Sequence, residues 1–262
     1  MSLDKKAMLS KVTVHRFSFS EKDKRAIEEI SIKFNVSPKL LKLKKQTLLK
    51  EHINNINKVM NKVVPFTHSL TLPWRDGGWR LLPTNLYRRY EDGMREMKDE
   101  LDEVLREFEP NYETYIQETR NSLGGLYEES NYPAFNYVKS KFSIELFYDP
   151  LPTSNDIRVE MAQDVVDKIK ADLEENNKKA LQIAMQEAWN RTYEALSKLY
   201  ERMTAQPRMD ETGKVRQPNL HKSVLGNIRE LISILPALNI SDNQKLEEVR
   251  REMEVKFADL NI

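Results

Sequence analysis

A chain of 262 residues is long enough for a substantial core, yet only 39% of it is apolar and 32% is charged, a balance that long exposed helices produce. With 42 Lys and Arg against 41 Asp and Glu, the net charge of +1 argues against a protein that coats nucleic acid non-specifically. Cysteine is absent, which excludes disulfides, thiol nucleophiles and thiolate metal sites; no apolar run reaches the ~18 residues of a membrane span, and the N-terminus lacks a signal-peptide hydrophobic region. The expectation is a cytoplasmic protein with no membrane partner.

Val12 to Phe19 reads as a strand, with Val12 and Val14 on one face and Phe17 and Phe19 on the other. Ser20 followed by Asp23 opens a short helix through about Phe34. Ser37 and Pro38 signal a second helix, from about Pro38 to Val64, whose buried stripe is Leu49, Ile53, Ile56, Met60 and Val63. Between Lys33 and Lys62 lie eight lysines (33, 39, 42, 44, 45, 50, 58, 62) against one acid, Glu51. Such a face either balances an acidic neighbour or contacts phosphates, in which case Lys39, Lys42, Lys44 and Lys45 are the residues to name.

Leu70 to Leu82 carries the clearest local signal. Asp76-Gly77 fits a two-residue hairpin turn, which would pair Arg75 with Gly78 and set Trp74 opposite Trp79. Trp74, Arg75, Trp79 and Arg80 then either pack the hairpin or form a stacking platform for bases or a partner peptide. Pro73 places the hairpin at a sheet edge.

With Thr84 as N-cap, the residues Tyr87, Tyr90, Met94, Met97, Leu101, Val104 and Phe108 step by three and four, a heptad seam that predicts packing against another helix. This segment is acidic: from Glu91 to Glu129 there are thirteen Asp or Glu (91, 92, 96, 99, 100, 102, 103, 107, 109, 113, 118, 128, 129) against four Arg or Lys (95, 98, 106, 120). The charge segregation suggests that the basic and acidic helices face each other, or that each faces a different partner. Pro110 kinks or restarts the helix and Gly124-Gly125 ends it. A short helix follows Pro133. Phe142, Ile144, Leu146 and Tyr148 then alternate as a strand over 142–148.

Asp156 to Met203 holds no Pro and no Gly and reads as a single helix of about 70 Å, capped by Asn155 or Asp156, with Leu181, Met185, Ala188, Thr192, Leu196, Leu199 and Met203 as its seam. Gln206 to Asn219 reads as a mobile loop, and Leu220 to Leu235 and Asp242 to Leu260 as two amphipathic helices that pack back on the long helix or form a separate contact module.

The fold class expected is mainly α: a long antiparallel, coiled-coil-like helical hairpin, with a small β-sheet near its base and C-terminal helices. By sequence order the segments are 1–83, with the N-terminal strand, basic helices and β-hairpin; 84–205, the long helical hairpin; 206–219, the loop; and 220–262, the helical pair. No catalytic signature occurs. His15, His52, His68 and His221 show no ligand spacing, and neither a phosphate-binding GxxxxGK[ST] loop nor a GxSxG elbow is present. No metal and no cofactor are expected.

The order of features, with Gly77-Gly78-Trp79 near Pro83, the segment from Tyr137 to Pro152, and Leu225, Ile228, Arg229 and Leu231, resembles a domain-of-unknown-function family of phage and bacterial helical proteins. Its members are often encoded beside MoxR-type AAA+ ATPases and von Willebrand A-type proteins. The resemblance covers most of the chain and supplies no catalytic residues. It implies a non-enzymatic, phage-encoded adaptor of an AAA+ machine, acting in the host cytoplasm. The alternative is nucleic-acid binding by the lysine face and the Trp/Arg hairpin, and self-association through the seams is a further possibility.

Overall fold

The computed structural model describes residues 3–75, 77–153, 163–205, 208–209, 215–216 and 222–257. Asp76, the expected cap at Asn155 or Asp156, the first turns of the long helix and His221 lie outside them. The chain divides into two compact units. One comprises Met1–Lys11, Thr67–Tyr90 and Leu146–Ile262, the other Val12–Phe66 and Glu91–Glu145, so that residues 1–83 and 84–205 each contribute to both. The elements in order are α1 (Leu3–Lys6), β1 (Ala7–His15), β2 (Ser20–Lys22), α2 (Lys24–Phe34), β3 (Lys44–Gln46), α3 (Lys50–Leu70), β4 (Leu72–Pro73), β5 (Arg80–Pro83) and α4 (Tyr87–Phe108). They continue with α5 (Tyr112–Leu123), α6 (Phe135–Ser140), β6 (Ser143–Asp149), α7 (Gln163–Thr204), β7 (Arg208–Met209), β8 (Val215–Arg216), α8 (Lys222–Leu238) and α9 (Gln244–Phe257). The mainly α class stands.

A four-stranded sheet runs in the order β4-β5-β1-β6, and β4, β5, the first half of β1 and the end of β6 belong to the first unit. The first strand begins earlier than its β-branched run suggests: Ala7 to Ser10 pair antiparallel with Pro83 to Arg80, while Phe17 and Phe19 lie beyond its end. On β6, Ile144 is buried and Leu146 and Tyr148 are half-buried while Glu145 and Phe147 are exposed, the alternation of its sequence. Proline sits on β4, an edge strand, where a missing N–H costs no ladder bond.

In this unit α7 packs against β4, α8 against α7, and α9 against α8. The seam of α7 is real over its second half, where Met185, Ala188, Thr192 and Leu199 are buried and Leu181 and Leu196 half-buried. Its partners are α8 and β4. The long antiparallel hairpin with the 84–128 helix is thus not confirmed, and that helix is itself broken at Pro110. Within the first unit the helix packed on α7 is α8, which buries Leu225, Ile228, Leu231, Ile232 and Leu235. The expected loop 206–219 contains an antiparallel ribbon, Arg208 opposite Arg216 and Met209 opposite Val215.

In the second unit, Asp23 caps α2 by accepting a 2.9 Å hydrogen bond from the Ala26 N–H; Ser20 belongs to β2 instead. The basic helix expected from Pro38 to Val64 is corrected. Pro38 starts only a single turn, Pro38–Leu40, and Lys44–Gln46 form β3, paired with β2. Tertiary hydrogen bonds outweigh local preference here: Leu43 O accepts from Asp23 N at 3.1 Å, and Thr47 N donates to Phe19 O at 2.9 Å. The helix that does form, α3, buries Ile53, Ile56, Met60 and Val63 as its spacing requires. From α4 the residues Met94, Met97, Leu101 and Phe108 are buried. The rings of Phe19, Phe108, Tyr112, Tyr115 and Phe135 complete this core at centroid distances of 5.3–6.2 Å. Pro110 ends α4, as expected, and Gly124, with φ +52°, closes α5.

Candidate functional site

In the hairpin Leu72 stands opposite Leu81 and Pro73 opposite Arg80, while the expected pairs Trp74–Trp79 and Arg75–Gly78 are not among the ladder pairs of the described residues. Among the described residues the strands end at Pro73 and Arg80, and Asp76 of the expected two-residue turn lies outside them. Arg75, Gly77 and Gly78 have φ of +49°, +85° and +79°. Glycine takes that conformation without penalty, whereas Arg75 is held in it by bonding through Nη2 to Asn177 Oδ1 at 2.5 Å on α7; Asn177 in turn donates to Pro152 O at 2.9 Å.

The two tryptophans divide. Trp74 is 2% exposed and belongs to the core, so it offers no ring to a base or peptide. Trp79 is half-buried, with Lys11 Nζ 5.9 Å from its ring centre. Arg80 turns inward. Its Nε donates to Thr71 Oγ1 at 2.6 Å and its Nη2 to Thr71 O at 3.1 Å. Arg191, on α7, donates to Ser69 O at 3.2 Å, Thr71 O at 2.8 Å and Glu187 Oε1 at 3.0 Å. These two guanidiniums gather carbonyls at and just beyond the C-terminal end of α3, where the helix leaves acceptors unpaired and its dipole favours positive charge. Burial and the charge of Arg191 push Arg80 down to about 10, and burial followed by both arginines lowers His68. The arginines thus anchor the hairpin to α3 and α7 within the first unit.

The lysines named from sequence lie in the second unit and on no single helix face. Lys39 is in the turn after α2, Lys42 in the following link, and Lys44 and Lys45 alternate on β3. Lys45 is spent internally, its side chain 8% exposed, donating to Leu126 O at 2.8 Å and lying 3.5 Å from Glu128. Lys62 pairs with Glu100 at 2.6 Å. Lys39, Lys42 and Lys44 are exposed. Each unit therefore holds part of the predicted set: the hairpin four in one, the lysines in the other.

Among the described residues no group of three His, Asp or Glu is placed to hold a metal ion. His52 stacks on Tyr115 with ring centres 4.0 Å apart, its Nε2 2.9 Å from Glu118. His15 lies 3.7 Å from Glu145.

Family models, curated proteins and solved structures give no match to this chain.

One surface was missed in the sequence. On the last turns of α7, Tyr193 is 73%, Tyr200 70% and Met203 67% exposed, and with half-buried Trp189 and Leu196 they step by 4, 3, 4 and 3. That is a second seam, beside the one covered by α8. It shares Leu196 and Met203 with the first, and counting those two on one stripe hid the other. The signal was the aromatic triplet at 189, 193 and 200.

Proposed function

We propose that this protein is a non-enzymatic interaction or scaffold protein, an adaptor whose docking element is the exposed seam of α7. The observation that carries this reading is the exposure of Tyr193, Tyr200 and Met203 at heptad spacing on a helix already fixed along its other face by α8. Large apolar side chains in such a row fit the groove of a partner helix, with tyrosines supplying area at little entropic cost. The family resemblance makes a MoxR-type AAA+ ATPase encoded nearby, in a phage genome, the partner to try first.

Pull-down of that ATPase by the full chain tests the reading. The intact protein retains it at micromolar concentration, and Y193A/Y200A weakens retention at least tenfold while thermal melting stays unchanged, since neither side chain is buried. Retention equal in the variant overturns the assignment of the seam, and no retention by the intact protein overturns the ATPase as partner. Light scattering on the same samples shows whether the seam instead joins two copies, in which case the variant lowers the measured mass.

A further inference from the structure

The end of α2 and the turn after it display apolar side chains that the fold leaves uncovered. Every residue from 32 to 40 is exposed. Ile32 is 79%, Phe34 64% and Leu40 82% exposed, with Val36 among them. This is ordered backbone rather than a frayed end. Asn35 closes α2 in the left-handed region with φ +50°, Val36 N donates to Ser31 O at 3.1 Å, and Leu40 N donates to Ser37 O at 3.0 Å. Along the sequence the charge is of one sign from Ile30 to Lys50, with six lysines (33, 39, 42, 44, 45, 50) and no acid, while in space Glu21 of β2 stands opposite Lys45 and Glu128 lies 3.5 Å from it. Lys45 faces inward, whereas Lys33, Lys39, Lys42 and Lys44 are exposed; the acids that bound this stretch in sequence are Glu28 and Glu29 on α2 and Glu51 on α3.

Three kinds of surface attract lysines, and the apolar residues choose among them. Single-stranded nucleic acid wants aromatic platforms, and Phe34 is the one ring here. A protein partner would need an apolar groove rimmed by acids, and is an outcome of the test below. A lipid interface takes such side chains without a preformed cavity, and anionic headgroups match the lysines, each adding roughly fivefold to partitioning. We propose that the turn over residues 32–44 docks on an anionic lipid membrane, with Ile32, Phe34 and Leu40 entering the headgroup boundary and Lys33, Lys39, Lys42 and Lys44 meeting lipid phosphates. The contact is peripheral and reversible. It requires no spanning helix, and among the described residues none is long and apolar enough to be one. It depends on the second unit and is independent of the α7 seam.

The test is co-sedimentation of the full chain with phosphatidylcholine vesicles, with and without phosphatidylserine. The protein pellets with the phosphatidylserine vesicles at low salt, is released as salt rises, and stays in solution with phosphatidylcholine alone. I32S/L40S and K39E/K42E/K44E each weaken binding at least tenfold, with unchanged circular dichroism melting to show that both variants fold. Absence of binding to the anionic vesicles overturns the proposal. So does a loss confined to the lysine variant, which reduces the contact to unspecific charge attraction. Retention by oligo-dT or polyglutamate in place of vesicles, sensitive to the same substitutions, overturns it in favour of a nucleic acid or an acidic protein.

Discussion

Gly93 lies on α4 where the ring of Phe66 crosses it. A methyl group built there would stand 2.2 Å from Phe66 Cζ, far inside contact distance. The absence of a side chain at 93 is therefore what lets this part of α3 approach α4 within the second unit. G93A should lower stability by about 1–3 kcal/mol through overpacking, read as a fall in the urea midpoint at constant slope. His68 makes a different prediction. Burial and the guanidiniums of Arg80 and Arg191 hold its pKa below the ordinary 6.5. Because the folded value is the lower one, its contribution is complete above pH 6.5 and is lost as pH falls below that through the folded value. H68Q should flatten this limb of the stability curve, measured by denaturant titration from neutral to mildly acidic pH; an unchanged limb would move the effect elsewhere. At this scale the sequence showed which residue types gather in the hairpin but not their orientation. Trp74 and Trp79 are the same residue on either side of one turn, yet the first is core and the second half-open, a difference residue type does not encode.

Among the elements, α7 is unequally supported along its length. From 163 to 179 Val166 is its only fully buried side chain, whereas Ala180, Ala184, Met185, Ala188, Thr192 and Leu199 are all buried beyond that point. Helices gain most of their stability from packing, so amide hydrogen exchange should be faster in the first part than in the second. Uniform protection along the helix would contradict this. The sequence was readable where local chemistry decides: Pro110 and Gly124 set breaks, alternation set β6, and spacing set the buried stripes of α3 and α4. It misled where partners decide. Residues 44–46 carry a helical composition but are drawn into a ribbon by β2, and of the two partners the sequence offered α7, the acidic helix and the C-terminal helices, it is α8 that packs on it within the first unit.

For the whole molecule, neither compact unit is a continuous stretch of chain. The first is assembled from three segments and the second from two. Cutting at the 83/84 boundary suggested by sequence order would deprive the 84–262 fragment of β1 and β5, the middle of the sheet, and of residues 12–66 of the second unit. Expressed alone, that fragment should elute as an expanded species and melt without cooperativity, because each core would lose facing residues that no neighbour replaces. A compact, cooperatively melting fragment would show that the missing strands are dispensable. Mapping of partner or vesicle binding is for the same reason better done with surface substitutions in the full chain than with truncations.

The unbroken run of α7 also gives the protein a built-in ruler. The chain has no native thiol, so cysteines introduced at exposed Ala171 and Glu194 would be the only attachment points for spin labels, their backbones about 35 Å apart at 1.5 Å per residue. A docking event that leaves the rod straight keeps that spacing, while one that bends or melts it shortens or broadens the distance distribution, so one labelled sample reports both occupancy and mechanical response.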